Sequence, residues 1–215
     1  LGVVNAFNMV DGIDGLLGGL AIVALMSIFT FAWFDQALVL MSVSGVALFA
    51  LIPFLLCNLV PTLIRCPKVF MGDAGSLFIG LTVAWLLIMG SQEEALFNAV
   101  LNGTAQALNE PVFRPVTALW MVAIPLMDTI TVIIRRISGG RNPFKADREH
   151  LHHLLIRLGL QQHQALLVIV SGAGLLAGVG IISEFLRVPD WIMFTGFLGL
   201  FGCYYMVLAA AWRRV

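Results

Sequence analysis

The chain has 215 residues, 60% of them hydrophobic and 11% charged, with 12 Lys and Arg balancing 12 Asp and Glu; its mean hydropathy is +0.98. Soluble domains carry roughly 45–50% apolar and about 25% charged residues, so a soluble globule of this size could not bury so much apolar surface. Collagen-like, disordered and basic nucleic-acid-binding classes are excluded with it, which leaves an all-α polytopic integral membrane protein, its partner the lipid bilayer and not nucleic acid.

The chain opens on Leu1-Gly2-Val3-Val4, without an initiator Met or the basic start of a signal peptide, and is expected to begin inside a longer protein. About 20 apolar residues cross a bilayer core. In chain order, six stretches qualify as spans in a single domain over 1–215: 16–34, 37–60, 76–90, 116–134, 165–183 and 191–211. Only Asp35 and Gln36 separate the first two, which predicts a tight helical hairpin. Pro53 and Pro125 fall inside the second and fourth spans, where a missing amide kinks a helix. In the fifth, Gly174 and Gly178 form a GxxxG flanked by Gly172 and Gly180, read as a close helix-packing stripe. Cys57, Cys66 and Cys203 have neither CxxC nor metal-ligand spacing and read as small buried hydrophobes.

Positive charge sets the topology. Ten of the twelve basic residues fall on alternate connections: Arg65 and Lys68, then Arg135 to Arg157, then Arg213 and Arg214. The other connections hold Arg114 and Arg187 with Asp35, Glu93, Glu94, Glu110, Glu184 and Asp190. Both termini and the loops 1–15, 61–75 and 135–164 are therefore expected in the cytoplasm, and the acidic 91–115 loop outside. No internal repeat supports an inverted-repeat transporter.

Three polar segments lie on the expected cytoplasmic face. The first holds Asn5, Asn8, Asp11 and Asp14, with Gly12 and Gly15 interrupting a regular helix. Two acids and two amides entering a membrane helix are costly without a purpose, although Asp14 could serve only as an N-cap. The second is Gly72-Asp73-Ala74-Gly75-Ser76, at the start of the third span. Asp73 could cap that helix. It could equally hold Mg²⁺ against phosphate oxygens, with glycine-bared amides at the positive helix end beside it. The third runs from Arg135 and Arg136 through Arg148 to His150, His152 and His153. On a regular helix His150 and His153 share a face and His152 points away. Zinc is a poor fit, because the spacing is not HExxH and no Cys is near; a basic loop suits a diphosphate. Asp128 stands alone inside the fourth span, either functional or a buried partner for a neighbouring helix or for Arg135 and Arg136.

Together these segments resemble the polyprenyl-phosphate N-acetylhexosamine-1-phosphate transferases of glycosyltransferase family 4. Asn8-Met9-Val10-Asp11-Gly12-Ile13-Asp14-Gly15-Leu16 resembles the family's NxxDGxDGL, Met71-Gly72-Asp73-Ala74-Gly75-Ser76 its MGDxGS, and His150-Leu151-His152-His153 its HxHH. The last, preceded by Pro143-Phe144 and Asp147-Arg148, is similar to the WecA-like branch; the related MraY branch has three consecutive histidines. The resemblance implies transfer of N-acetylglucosamine 1-phosphate from UDP-GlcNAc to undecaprenyl phosphate, releasing UMP, at the cytoplasmic face of the bacterial inner membrane. It implies Mg²⁺, with Mn²⁺ as a substitute, held by Asp73 and Asn8. It implies catalytic roles for Asp11, Asp14, Asp73, His150, His152 and His153, and substrate contacts for Asn5, Asn8, Arg135, Arg136 and Arg148. An MraY-type phospho-MurNAc-pentapeptide transferase and, in another class, a transporter are the alternatives; a dimer is open. The family's upstream paired-Asp motif is not in this chain, so residues 1–215 alone are expected to be inactive.

Overall fold

A computed structural model describes residues 1–92, 111–140, 142 and 150–213. Among the described residues every regular element is helical: α1 Gly2–Val10, α2 Leu16–Phe34, α3 Leu38–Leu59, α4 Gly72–Ser91, α5 Pro115–Met121, α6 Ala123–Ser138, α7 Leu151–Arg157, α8 Gln162–Phe185 and α9 Asp190–Trp212. The all-α membrane architecture is borne out: α2, α3, α4, α8 and α9 are each long and apolar enough to cross a bilayer.

The most deeply placed helix is α2. Of its most apolar 18-residue stretch 61% is buried, against 17% for α9, and α3, α8 and α4 pack around it. Two adjacent glycines admit two of those neighbours: a Cβ on Gly18 would lie 2.7 Å from Leu55 of α3, and one on Gly19 2.7 Å from Val170 of α8. The α2–α3 hairpin forms as expected, its turn closing at Gln36 with a positive φ of 58°. The outward faces of α3, α8 and α9 expose residues such as Phe49, Leu175 and Val207, as helices facing lipid must.

The fourth expected span is not one helix. α5 and α6 meet at 82°. Pro125 has no N–H for the carbonyl of Met121, and its ring would strike that carbonyl in a continuous helix. The ladder therefore stops at Met121 and restarts one residue later, with Leu126 N–H on Val122 C=O at 3.1 Å. The expected kink is thus a break. Pro53 does the opposite, since α3 runs through it uninterrupted.

Three other expectations need correction. Residues 2–10 form α1 instead of a loop, and Gly80 lets this helix in: a Cβ there would sit 3.0 Å from the Val4 backbone. In the glycine stripe of α8, Gly180 packs closely against Trp120, while Gly172, Gly174 and Gly178 meet nothing within 4 Å. No cysteine is fully buried; Cys57 and Cys66 are half-buried and Cys203 is exposed.

At the end where α2 finishes, Arg114 staples α5 to the α8–α9 turn. Its guanidinium donates to Glu184 at 2.9 Å, to Val188 C=O at 2.7 Å and to Asp190, and Thr117 O–H donates to the same Glu184. The three polar motifs gather at the other end.

Candidate functional site

The first motif is a turn between two helices. α1 stops at Val10, Gly12 N–H bonds back to Val10 C=O at 2.8 Å, and α2 starts after Gly15, whose φ of 77° suits glycine. Gly15 N–H donates to Asn58 Oδ1 at 2.6 Å, and Asn58 Nδ2 donates to Val69 C=O at 2.8 Å. Asn58 is 5% exposed, so one buried amide joins the DGxDG turn to the segment before the MGD motif. Asp14 does not cap α2; it pairs with Lys68 at 2.7 Å, both half-exposed, a bond worth less than about 1 kcal/mol by itself.

The second motif opens α4. Asp73 lies in the first turn, where a carboxylate is favoured by the helix dipole, and it makes no side-chain cap. Ser76, fully buried, donates to Asn8 Oδ1 and so ties α4 to α1. Asn5 is exposed one turn back along α1.

Asp73 and Asp14 both act on the charge of Asp11. Burial, then Asp73, then Asp14 push the Asp11 carboxyl above the usual range. That electrostatic deficit, with carboxylate and amide oxygens as donors, fits a hard divalent cation that also draws ligands from phosphate. Among the described residues no group of three or more His, Cys, Asp or Glu side chains could hold a metal ion by itself. Beside the carboxylates lies a cleft of about 500 Å³, lined by Asp11, Gly12, Asp14, Phe54, Lys68 and Phe70 among others.

The histidines arrive by a route that helical spacing misplaces. His150 is the N-cap of α7 with extended ψ of 160°, so the wheel that sends His152 away from it does not apply. The rings form a row: His150 and His152 are 6.1 Å apart with an interplanar angle of 4°, and His152 and His153 are 4.1 Å apart. His152 is 1% exposed. Its ring lies over Gly12, where a Cβ would fall 2.0 Å from Nε2. Burial, reinforced by His153 and His150 and opposed by Asp128, lowers its pKa to about 4.

Asp128 is a buried partner of this row. Its carboxylate meets His150 Nδ1 at 2.8 Å. Arg136 is buried in the last turn of α6, and the Arg135 guanidinium lies 4.7 Å from the Trp212 ring centroid, with that of Arg157 at 4.9 Å. Arg148 falls outside the described residues. Sequence reasoning missed Asn58, Lys68, Ser76 and Tyr204 as parts of the site. A lone amide near the end of an apolar span was the available signal for Asn58; nothing marked Tyr204.

Residues 1–91 match the family model described as glycosyl transferase family 4. The undecaprenyl-phosphate alpha-N-acetylglucosaminyl 1-phosphate transferase of Escherichia coli K12 is 43% identical over 211 residues, covering 98% of this chain and 53% of that protein. The proteins of the same name from Yersinia pestis and Pasteurella multocida are 44% and 42% identical, over 98% and 90% of the chain. The chain spans about half the length of the curated relatives it matches. The resemblance carried by the three motifs is thereby shown: residues 1–91 carry the glycosyl transferase family 4 pattern, and nearly the whole chain is homologous to transferases of the polyprenyl-phosphate N-acetylhexosamine-1-phosphate type.

Proposed function

We propose that the chain is the part of an undecaprenyl-phosphate N-acetylglucosamine-1-phosphate transferase that binds the diphosphate of UDP-GlcNAc and the phosphate of the lipid acceptor. The observation that carries this reading is the physical contact of all three motifs at one end of the bundle: Asn8 with Ser76, and Gly12 with His152. A carrier would keep its polar residues near mid-membrane; here they meet where a lipid phosphate and a soluble nucleotide can both arrive.

The reaction joins a phosphate oxygen of the lipid to the β-phosphorus of the UDP-sugar and breaks the bond to UMP. Positioning and charge neutralisation supply most of such catalysis. Asp73 and Asp11, with Asn8, are the residues to hold Mg²⁺, which when bound neutralises the diphosphate oxygens. Lys68 adds a cation at the cleft and Asp14 holds it in place. The histidine row offers ring N–H donors to non-bridging oxygens. Phe54 and Phe70 supply apolar cleft walls, and the lipid-facing helices keep the prenyl chain in the bilayer. The excess of Lys and Arg in the loops at this end supports a cytoplasmic face, and the reading takes the membrane to be a bacterial inner one.

The test replaces the aligned half of the Escherichia coli relative with residues 1–215 and measures UMP release from UDP-GlcNAc in membranes supplied with undecaprenyl phosphate. Release is expected with Mg²⁺, is expected to stop with EDTA, and is expected to fall more than about 100-fold in Asp73→Asn. A membrane-inserted chimera that releases no UMP, or one indifferent to Asp73→Asn, would sink the proposal.

A further inference from the structure

Asp128 lies inside α6 and is 2% exposed. A buried carboxylate in such a place needs hydrogen-bond partners on both oxygens, and three groups lie within reach. Oδ2 is 2.8 Å from His150 Nδ1; Oδ1 accepts Leu151 N–H at 2.9 Å and Tyr204 O–H at 3.2 Å. The tyrosine comes from α9, and His150 and Leu151 from the start of α7. One side chain of the broken span therefore binds the first turn of the histidine helix and the last span together.

The donor set also decides the chemistry of His150. A carboxylate accepting from a backbone amide and a phenol has only lone pairs left for the imidazole. His150 must then donate its Nδ1–H, and Nε2 is the nitrogen left for other partners. The Leu151 bond fixes the backbone beside it, so ring orientation and tautomer are set together. The near-parallel stacking on His152, at 4° and 6.1 Å, carries that setting along the row, and His152 is pinned in turn by Gly12.

We propose that Asp128, braced by Tyr204, is a positioning residue that holds His150 in its Nδ1–H tautomer and thereby sets the histidine row against the phosphate cleft. The inference rests on the transferase reading for its effect on turnover, but the hydrogen-bond brace itself does not. An asparagine at 128 would discriminate sharply. Its carbonyl oxygen would keep the Leu151 and Tyr204 bonds, and its NH₂ would face His150 Nδ1, forcing the opposite tautomer.

Two measurements test it. The chain labelled with ¹⁵N-histidine, in detergent, has four histidines to resolve, and long-range ¹H–¹⁵N spectra read each tautomer, with His150→Gln identifying the His150 signals. Wild type is expected to show Nδ1–H at His150 and Asp128→Asn to show Nε2–H. In the Escherichia coli chimera, Asp128→Asn is expected to lower kcat about 100-fold with KM for UDP-GlcNAc within about threefold, and Asp128→Glu to recover part of the loss. An unchanged tautomer in Asp128→Asn, or kcat within threefold of wild type, overturns the proposal. If Asp128→Asn does not insert, Tyr204→Phe decides: it removes one hydroxyl and is expected to lower kcat about 3–10-fold at constant KM, and no change overturns the brace. A wild-type chimera without activity would refute the transferase reading, while the tautomer spectra would still judge Asp128.

Discussion

Gly12→Ala tests whether the first and third motifs are one structure. The added methyl would lie 2.0 Å from His152 Nε2, 2.5 Å from Cε1 and 3.0 Å from Cδ2, so the ring must retreat by more than about 1 Å to reach ordinary contact. It has little freedom to do so. His152 is 1% exposed, and the His153 ring centroid is 4.1 Å away on one side. Overpacking of this kind costs about 1–3 kcal/mol. At about 2–4 °C per kcal/mol for a chain of this size, thermal unfolding in detergent should fall by about 2–12 °C. A ring displaced by an ångström should also cost about 100-fold in turnover of the chimera. Gly172→Ala is the control, because nothing lies within 4 Å of its position; its unfolding temperature should hold or rise slightly. The decisive arm is the double variant Gly12→Ala/His152→Ala. Removing the ring removes the clash, so the two stability losses should be less than additive by about 1–3 kcal/mol. Additive losses, or a Gly12→Ala protein as stable and active as wild type, would refute the contact.

Two further outcomes follow from the same site. Asn58→Leu leaves Gly15 N–H and Val69 C=O without their buried partner, at about 1–3 kcal/mol each. Its unfolding temperature should drop clearly, and Asn58→Asp, which keeps an acceptor for Gly15, should fall between; wild-type stability in Asn58→Leu would refute the fastening role. His152 gives a pH signature. Its folded pKa of about 4 lies below the ordinary 6.5, so the neutral ring's stabilisation is complete above about pH 6.5 and is lost as pH falls toward 4, with a slope of at most about 1.36 kcal/mol per pH unit. The stability gap between wild type and His152→Asn should shrink on acidification across that window; a gap that widens would show that the ring is not buried neutral.

The spans were legible because lipid leaves so few ways to hide a backbone. The first was located residue for residue at 16–34. Errors gathered at polar ends, where an apolar count stops too early. α4 begins at Gly72 and not at 76, since its first turn is the polar Gly72-Asp73-Ala74-Gly75. α8 begins at Gln162, because Gln161 and Gln164 cap each other, with Gln161 N–H on Gln164 Oε1 at 2.9 Å. The motifs were legible in the sequence, and the way they meet was not. Spacing placed His150 on a helix face, whereas Asp128, 22 positions away, takes it and the Leu151 amide as the cap of α7. No local pattern encodes that bond, nor the 3.2 Å bond from Tyr204.

One regularity does connect the sequence to the assembly. Four polar side chains inside or at the edge of a span tie separate elements together. Asn58 joins the DGxDG turn to the segment before α4, Ser76 joins α4 to α1, Thr117 joins α5 to α8 through Glu184, and Asp128 joins α6 to α7 and α9. Backbone bonds are satisfied within each helix, and apolar faces slide past one another with little preference in lipid. Register must then come from directional bonds that are costly to break where water is scarce. The serines and threonines that only bond back to their own helix, such as Ser27 to Val23 C=O and Thr82 to Phe78 C=O, add no such register. The balanced charge fits the same economy. At the cleft end Lys68 pairs with Asp14, and at the far end Arg114 pairs with Glu184 and Asp190. With Asp14 paired to Lys68, Asp11 is the other carboxylate that lines the cleft, its charge opposed by burial and by Asp73 and Asp14.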